Sequence, residues 1–489
     1  MEDWDTRVIS TNTCWARLPD QEKRLMKMNT LAASSSLLTG YCAREAKYTG
    51  KKSLALLSGV MTALVVLIAS AAGAQSFQHV VIVVQENRTP DNLFQGLCSP
   101  SSCGPYNIQQ TNWKNLHAAG GVTTPQERYL VDTYDLGHFH KDFTRQYDNG
   151  KMDGADLGSC AGTCPPLAHF AYVRPSDVQP YLDLAGHYGW ANYMFQTNQG
   201  PSAPAHQYLF GGTSAPSAED DAAGIFVAEN DGMSTGCLSA PGTLARLIVG
   251  GVISPANRVY PCFERTTMGD LGLTWRYYTP TLKSLCTAPV DIQHICQPSA
   301  GVCTGAEWKN LTTPPAYVLK DIANGNLAQV SWVIPRGQDS DHPGKNKGGG
   351  PSWVASIVNA IGNSPYWQNT AIIVTWDDWG GWYDHELPLL NGNGYESGFR
   401  VPLLFISAYT PPGTVSNVRS DFGSILRFVE GNFGIGQGAL GFADARATSN
   451  LSEFYDLLQP SRVFDRIRAP LDGSYFILNT EPATDPDDD

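Results

Sequence analysis

The stretch 370–386, TAIIVTWDDWGGWYDHE, constrains the fold of this chain more than any other. The run 371–375 is short, apolar and rich in β-branched residues, the pattern of a strand buried on both faces. Asp377 and Asp378 follow it directly, and Gly380-Gly381 then turns the chain. Two adjacent carboxylates at the end of a buried strand repel each other and lose hydration, so they need an offset. A divalent cation is the usual one, because hard cations take carboxylate oxygens. Ligands of open α/β sheets bind beyond the carboxyl ends of the strands, which is where this doublet falls. A solvated acidic turn is the plain alternative.

A second junction of the same kind lies at the other end of the chain. The run 79–84, HVVIVV, reads as a buried strand and passes straight into Gln85-Glu86-Asn87-Arg88. Glu86 can bind a metal and Asn87 can hydrogen-bond an anionic oxygen. Further strands are expected at 190–195, 329–334 and 401–407. Helices are expected at 203–210, after Ser352 as N-cap up to Gly362, and at 421–433. Strands alternating with helices indicate an α/β fold with a doubly wound, mostly parallel sheet and helices on both faces. The many Gly and Pro residues (48 and 32) place loop-rich insertions around it.

Upstream of the first strand, Lys51-Lys52 precede an apolar run, 53–72, that closes on Ala72-Gly73-Ala74. A basic start, an apolar middle and small residues at positions −3 and −1 describe a secretory signal peptide cleaved after Ala74. An uncleaved membrane anchor is the rival reading, since the run is nearly long enough to span. Residues 1–74 are therefore expected to be an extension and leader, with 75–475 a single domain and 476–489 an acidic disordered tail. Nine of the 11 cysteines follow the leader. In an oxidising compartment the close pairs Cys98/Cys103 and Cys160/Cys164 are natural disulfides, and the odd count leaves one thiol over. The net charge of −13 excludes the basic footprint of a nucleic-acid binder.

Between the two strand ends lie residues able to do chemistry. His138 and His140 are spaced i, i+2, so in an extended segment only one can face a given site; the spacing does not say which. Ser202 follows Gly200-Pro201 at the start of a potential helix. There it reads equally as an N-cap and as a hydroxyl whose anion the helix terminus would stabilise. His294 and His342 lie in DIQHIC and SDHPG.

Taken in order, ENRTPDNLFQG, GKMDG, NQGPSAPAHQYLFGGTS, TWRYY, SDHPG, TWDDWGGWYDH and GFRVPLLFIS resemble the bacterial phosphoesterase family of phospholipases C and acid phosphatases, within the alkaline phosphatase superfamily. The resemblance runs from about residue 77 to about residue 433. It implies an alkaline-phosphatase-like core with one divalent metal and a nucleophilic hydroxyl at the strand ends. Carried over by motif, Glu86, Asn87, Asp377 and Asp378 match the metal shell and Ser202 the nucleophile. His138, rather than His140, matches the first phosphate-contacting histidine, with His294 and His342 as the other two and Asn87 beside them. Thr89-Pro90 departs from the family's usual Ser-Phe, while Asp91 is retained. Ser202 with Ala205-His206-Gln207 looks like the acid phosphatase branch; the phospholipase branch tends to carry Thr and Asn-Arg there.

The expected activity is an exported, metal-dependent phosphoesterase acting through a serine. Its partner is a phosphate-ester substrate and not nucleic acid. A phospholipase C working on phospholipid at a membrane surface is the alternative. A carbohydrate-binding surface protein would use the aromatics as platforms, but it leaves the polar strand ends unexplained.

Overall fold

The computed structural model describes residues 76–230, 235–388 and 390–487; the leader and its cleavage site lie outside them. An eight-stranded sheet organises the described chain. In chain order its strands are β1 His79–Gln85, β2 Gly189–Ala191, β3 Trp275–Tyr278, β4 Leu311–Thr312, β5 Val330–Val333, β6 Thr370–Trp376, β7 Leu403–Ile406 and β8 Thr414–Ser416. They lie side by side as β4-β3-β5-β1-β6-β7-β2-β8. Only β7 runs against its neighbours, β6 and β2; every other pairing is parallel.

The two central strands are the runs whose composition is least compatible with water. Every residue of β6 is buried, as is every residue of β1 after His79. Helices cover both faces, as a mostly parallel sheet requires. On one side α2 Gln179–His187, α4 Tyr317–Asn324 and α5 Gly350–Gly362 pack together; on the other, α3 Ser202–Gly211 meets α6 Phe422–Asn432. A shorter helix, α1 His140–Tyr147, leads away from the sheet.

Several expected boundaries move for local reasons. Gly349, not Ser352, is the N-cap of α5; Pro351 lies in its first turn, and the Ser352 hydroxyl accepts Leu471 N–H at 3.3 Å instead. The strand expected at 190–195 stops at Ala191, and Met194 and Phe195 make only single bridges to Ser420 and Arg400. Helix α6 begins as expected on a capping box between Asp421 and Ser424.

The expected disulfides Cys98–Cys103 and Cys160–Cys164 are present, together with Cys237–Cys262 and Cys296–Cys303; Cys286 remains a buried thiol. No helix among the described residues is long and apolar enough to cross a membrane.

The acidic C-terminal segment departs from its expected disorder. Gly473–Leu478 is a helix whose Phe476 is buried against Trp353, with ring centroids 5.1 Å apart. The chain then runs along the 337–338 turn and buries Asp487. Acidic composition argues for solvation only where no counter-group waits, and here two imidazoles do.

Candidate active site

Strand register assembles the site. Gln85 at the end of β1 lies opposite Trp376 at the end of β6, so Glu86-Asn87 and Asp377-Asp378 leave the sheet side by side. The two turns are stitched together. Asp377 N–H donates to the Gln85 carbonyl at 3.0 Å and Arg88 N–H to the Asp378 carbonyl at 3.1 Å. Asp377 Oδ1 accepts Asn87 N–H at 3.0 Å and Asp378 N–H at 2.8 Å.

That stitching leaves an excess of acceptors. No N–H or O–H group of the described residues donates to Glu86 Oε1 or Oε2, Asn87 Oδ1 or Asp377 Oδ2, all of them buried. Burial pushes the Glu86 and Asp377 carboxyls up to about 8, and for Asp377 the neighbouring Glu86 charge adds to it. Burial likewise holds Asp378 well above the usual carboxylate range, against the opposing pull of His138. Buried hard oxygens of Glu86, Asn87 and Asp377 that no described donor reaches, beside Asp378, whose Oδ1 accepts Gly380 N–H at 2.6 Å and whose Oδ2 accepts the Ser202 hydroxyl, suit a cation. The four residues expected in the metal shell therefore fit a divalent ion.

Ser202 does not cap its helix. Pro201 occupies the N-cap position with no side-chain cap bond, and Ser202 is the first residue of α3. Its hydroxyl instead donates to Asp378 Oδ2 at 3.1 Å, fully buried. Of the two readings left open by the sequence, capping is the one the geometry removes.

The histidines separate. His138 Nδ1–H donates to the Leu136 carbonyl at 2.7 Å, which turns Nε2 toward Asn87 Nδ2 at 3.2 Å. His342 is oriented in the same way, Nδ1–H donating to the Pro343 carbonyl at 2.7 Å. The two rings lie 6.0 Å apart, with Asp487 reaching both: Oδ1 is 3.2 Å from His342 Nε2 and Oδ2 is 3.7 Å from His138 Nε2. Burial lowers the His342 pKa, but the Asp487 charge and hydrogen bond outweigh it and raise it to about 10. His140 points elsewhere, with Nδ1–H on the Gln199 carbonyl at 2.9 Å.

His294 does not join this group. Its imidazole pairs with Glu264 at 2.7 Å and lies 3.2 Å from Asp270 on a partly exposed surface, a local ion-pair cluster. The structure does not bring it together with His138 and His342. The residue that sequence reasoning missed is His206. Its Nε2 lies 3.5 Å from Glu86 Oε1 and 3.7 Å from Asp377 Oδ2. The signal was available, since His206 follows Ser202 at i, i+4 and must share its helix face.

Behind the site, buried Arg400 holds the turns in place, donating to Asp384 Oδ1 and Oδ2 at 2.9 Å each and lying 3.5 Å from Asp91. Asp91 also accepts from His385 Nδ1–H at 2.6 Å. The Thr89-Pro90 departure is local: Thr89 caps the short turn Pro90–Leu93 and donates to the Tyr383 carbonyl at 2.8 Å.

The fold and site together define an α/β protein with a cation-ready carboxylate cage, a serine and paired imidazoles at the carboxyl edge of its sheet. Residues 77–436 match the model of the Phosphoesterase family, and the chain belongs to that family. It is 25% identical over 418 residues to the hemolytic phospholipase C of Pseudomonas aeruginosa, covering 74% of this chain and 53% of that protein. It is 26% identical over 457 residues to phospholipase C A of Mycobacterium tuberculosis, covering 82% of each. The chain thus spans about half the length of the Pseudomonas relative. Among solved structures, a protein of the alkaline phosphatase superfamily from Vibrio parahaemolyticus aligns at TM-score 0.33 and 12% identity, over 76% of this chain and 70% of that one.

Proposed function

We propose that the protein is an exported, metal-dependent phosphoesterase that hydrolyses phosphate esters through Ser202. The observation that carries this reading is the Ser202 hydroxyl donating to Asp378, beside buried oxygens of Glu86, Asn87 and Asp377 that no described donor reaches and near the paired imidazoles of His138 and His342. Glu86, Asn87, Asp377 and Asp378 would hold the ion, which supplies charge neutralisation and a lowered hydroxyl pKa. Asp378 Oδ2, already the acceptor of the Ser202 proton, takes it as Oγ attacks phosphorus. The new O–P bond forms as the bond to the leaving alcohol breaks. His342 donates the proton that the leaving oxygen needs, and His138 with Asn87 Nδ2 orients the phosphoryl oxygens. Water, giving a proton to the now neutral His342, then attacks the phosphoserine; the P–O bond to Ser202 breaks, phosphate leaves, and Asp378 returns its proton to Oγ. The four disulfides support a life outside the reducing cytosol. With export, residues 1–74 would be removed after Ala74 to release one phosphoesterase domain, which N-terminal sequencing of the exported protein checks.

Ser202 followed by Ala205-His206-Gln207 favours simple phosphomonoesters. The second reading, a phospholipase C, is favoured by the names of the relatives at 25% and 26% identity. One comparison tests both: turnover of p-nitrophenyl phosphate and of p-nitrophenyl phosphorylcholine, each with and without chelator. Chelator-sensitive turnover of the first alone supports the phosphatase. Preference for the second supports the phospholipase. Turnover of neither removes the phosphoesterase reading.

A further inference from the structure

Cys286 is the one described cysteine outside the four disulfides, and it is fully buried. It sits in the loop after β3, held by Tyr277 Oη–H donating to its carbonyl at 2.6 Å. A ligand atom from each of Cys286, His206 and Glu86 lies within 4.8 Å of the others. Neither ring nitrogen of the buried His206 has a hydrogen-bond partner among the described residues, and no donor reaches either oxygen of Glu86. Buried imidazoles are nearly always hydrogen-bonded, so an unpartnered one aimed at a carboxylate and a thiol calls for a ligand. The spacing is also suggestive. Two donors each about 2.0–2.2 Å from a tetrahedral ion stand roughly 3.3–3.6 Å apart. His206 Nε2 is 3.5 Å from Glu86 Oε1, within that range.

We propose that Glu86, His206 and Cys286 form a second metal position beside the oxygen-only one, taking a thiophilic divalent ion of the zinc class. Glu86 would belong to both positions. Imidazole and thiolate select a softer metal than Asn87, Asp377 and Asp378 do, so the two positions differ in chemistry as well as in place. On binding, the Cys286 thiol gives up its proton to solvent and becomes a thiolate ligand. The inference rests on the metal-dependent reading above and deepens it.

The test is elemental analysis of the full chain after zinc loading, with a cobalt-substituted sample examined by absorption spectroscopy. Two ions per chain and a near-ultraviolet thiolate-to-cobalt charge-transfer band are expected. Cys286→Ala and His206→Ala should each bind one ion, and Cys286→Ala should lose the band. One ion per chain and no thiolate band in the wild type would overturn the second position while leaving the phosphoesterase intact. No ion at all would instead sink the metal-dependent reading itself. The wild-type spectrum decides the matter even where a variant folds poorly.

A separate observation concerns access. Ser202, Glu86, His138, His342, Asp377 and Asp378 are all fully buried, and Asp487 is 1% exposed between the two imidazoles. The segment reaching it is pinned at several points. Gly337 N–H donates to the Thr484 carbonyl at 2.9 Å, Gln338 Nε2 to the Pro482 carbonyl at 3.1 Å, and Thr281 Oγ1 to Asp485 Oδ1 at 3.2 Å. The Lys347–Glu481 ion pair, at 3.2 Å, is exposed. The geometry points to residues 480–487 as an intramolecular plug whose Asp487 carboxylate holds the two imidazoles in place of a phosphate ester. The anchors named are backbone and side-chain hydrogen bonds, an exposed ion pair and the buried contact of Asp487 with His342, all of which a phosphate ester taking the imidazoles would have to displace. This rests on the assignment of His138 and His342 to phosphate. Deleting 480–489, or the milder Asp487→Asn, should lower KM for p-nitrophenyl phosphate with kcat unchanged. A plug closed nine times in ten predicts about a ten-fold drop for the deletion. A synthetic 480–489 peptide should inhibit the deleted protein competitively. An unchanged KM in both variants would overturn the plug. So would loss of bound metal in Asp487→Asn, which would make Asp487 a ligand.

Discussion

Ser202 and Asp378, 176 residues apart in sequence, meet as hydroxyl donor and carboxylate acceptor at 3.1 Å. One comes from the first turn of α3 and the other from the end of β6, so neither is placed by the other's local structure. Because Pro201 caps α3, the hydroxyl contributes nothing to helix termination.

Ser202→Ala is therefore expected to fold, at a stability cost of about 1–3 kcal/mol for a buried carboxylate left without its donor. Turnover should fall by about 10³-fold or more, as for other covalent nucleophiles. Acid quench with a labelled phosphate ester should trap label on wild-type Ser202. A folded variant with near wild-type turnover would take Ser202 out of the mechanism.

The carboxylate cage predicts opposite effects with and without metal. Asp377→Asn keeps an Oδ1 for the Asn87 and Asp378 N–H groups but removes one buried charge. In metal-free protein above pH 8, where Asp377 with its pKa near 8 is ionised, the variant should melt higher than wild type. With saturating metal the order should reverse, and affinity should drop by about 10- to 100-fold or more. Thermal melts at both metal levels check this; the same order in both would argue against a cation site.

His294 offers a contrast, because its structure and its motif position disagree. Hydrogen bonding to Asp270 is the main force raising its pKa to about 9, with Glu264 adding to it and burial opposing. A histidine raised above its unfolded value of about 6.5 stabilises the fold fully below that pH. The contribution is lost as pH rises from about 6.5 toward 9. His294→Ala should flatten the pH dependence of Tm across that window, by well under about 1 kcal/mol for so exposed a cluster. Turnover should stay within a few-fold of wild type. A loss of several orders would return His294 to the site.

What the sequence made legible was whatever a short window can carry. The β-branched runs of β1 and β6 and the polar doublets after them needed no partner to be recognised. That Glu86 stands beside Asp377 is a property of register between strands nearly 300 residues apart, which no window contains. Ser202 stayed ambiguous because capping and catalysis ask for the same residue at the same helix end. His206 was read only as part of a branch signature and not as a site residue, although its spacing from Ser202 put it on the same face. His294 pairs with Glu264 and Asp270 instead of joining His138 and His342, because motif order fixes a histidine's position in the chain, not the direction its ring takes. The tail misled through composition: Asp487 is buried because it meets His138 and His342, contacts that its neighbours in sequence do not announce.

The turn after the central doublet gives the last prediction. Gly380 has φ +61°, and a Cβ there would lie 2.2 Å from the Asn87 carbonyl oxygen. Asn87 itself sits at φ 60°, so both turns of the cage adopt left-handed backbone and press against each other. Gly325, which ends α4 at φ +76°, has nothing within 4 Å of its would-be Cβ. Gly325→Ala should then cost only the strain of a left-handed residue, about 1–2 kcal/mol, and leave metal binding and turnover intact. Gly380→Ala adds a backbone collision that only a shift of Asn87 relieves. It should lose more stability than Gly325→Ala, and it should also lose metal affinity, since Asn87 and Glu86 move together. Melts and metal titrations on the two variants check this. Equal stability losses with unchanged metal affinity would mean that the 86–88 turn is not held by the glycine beneath it.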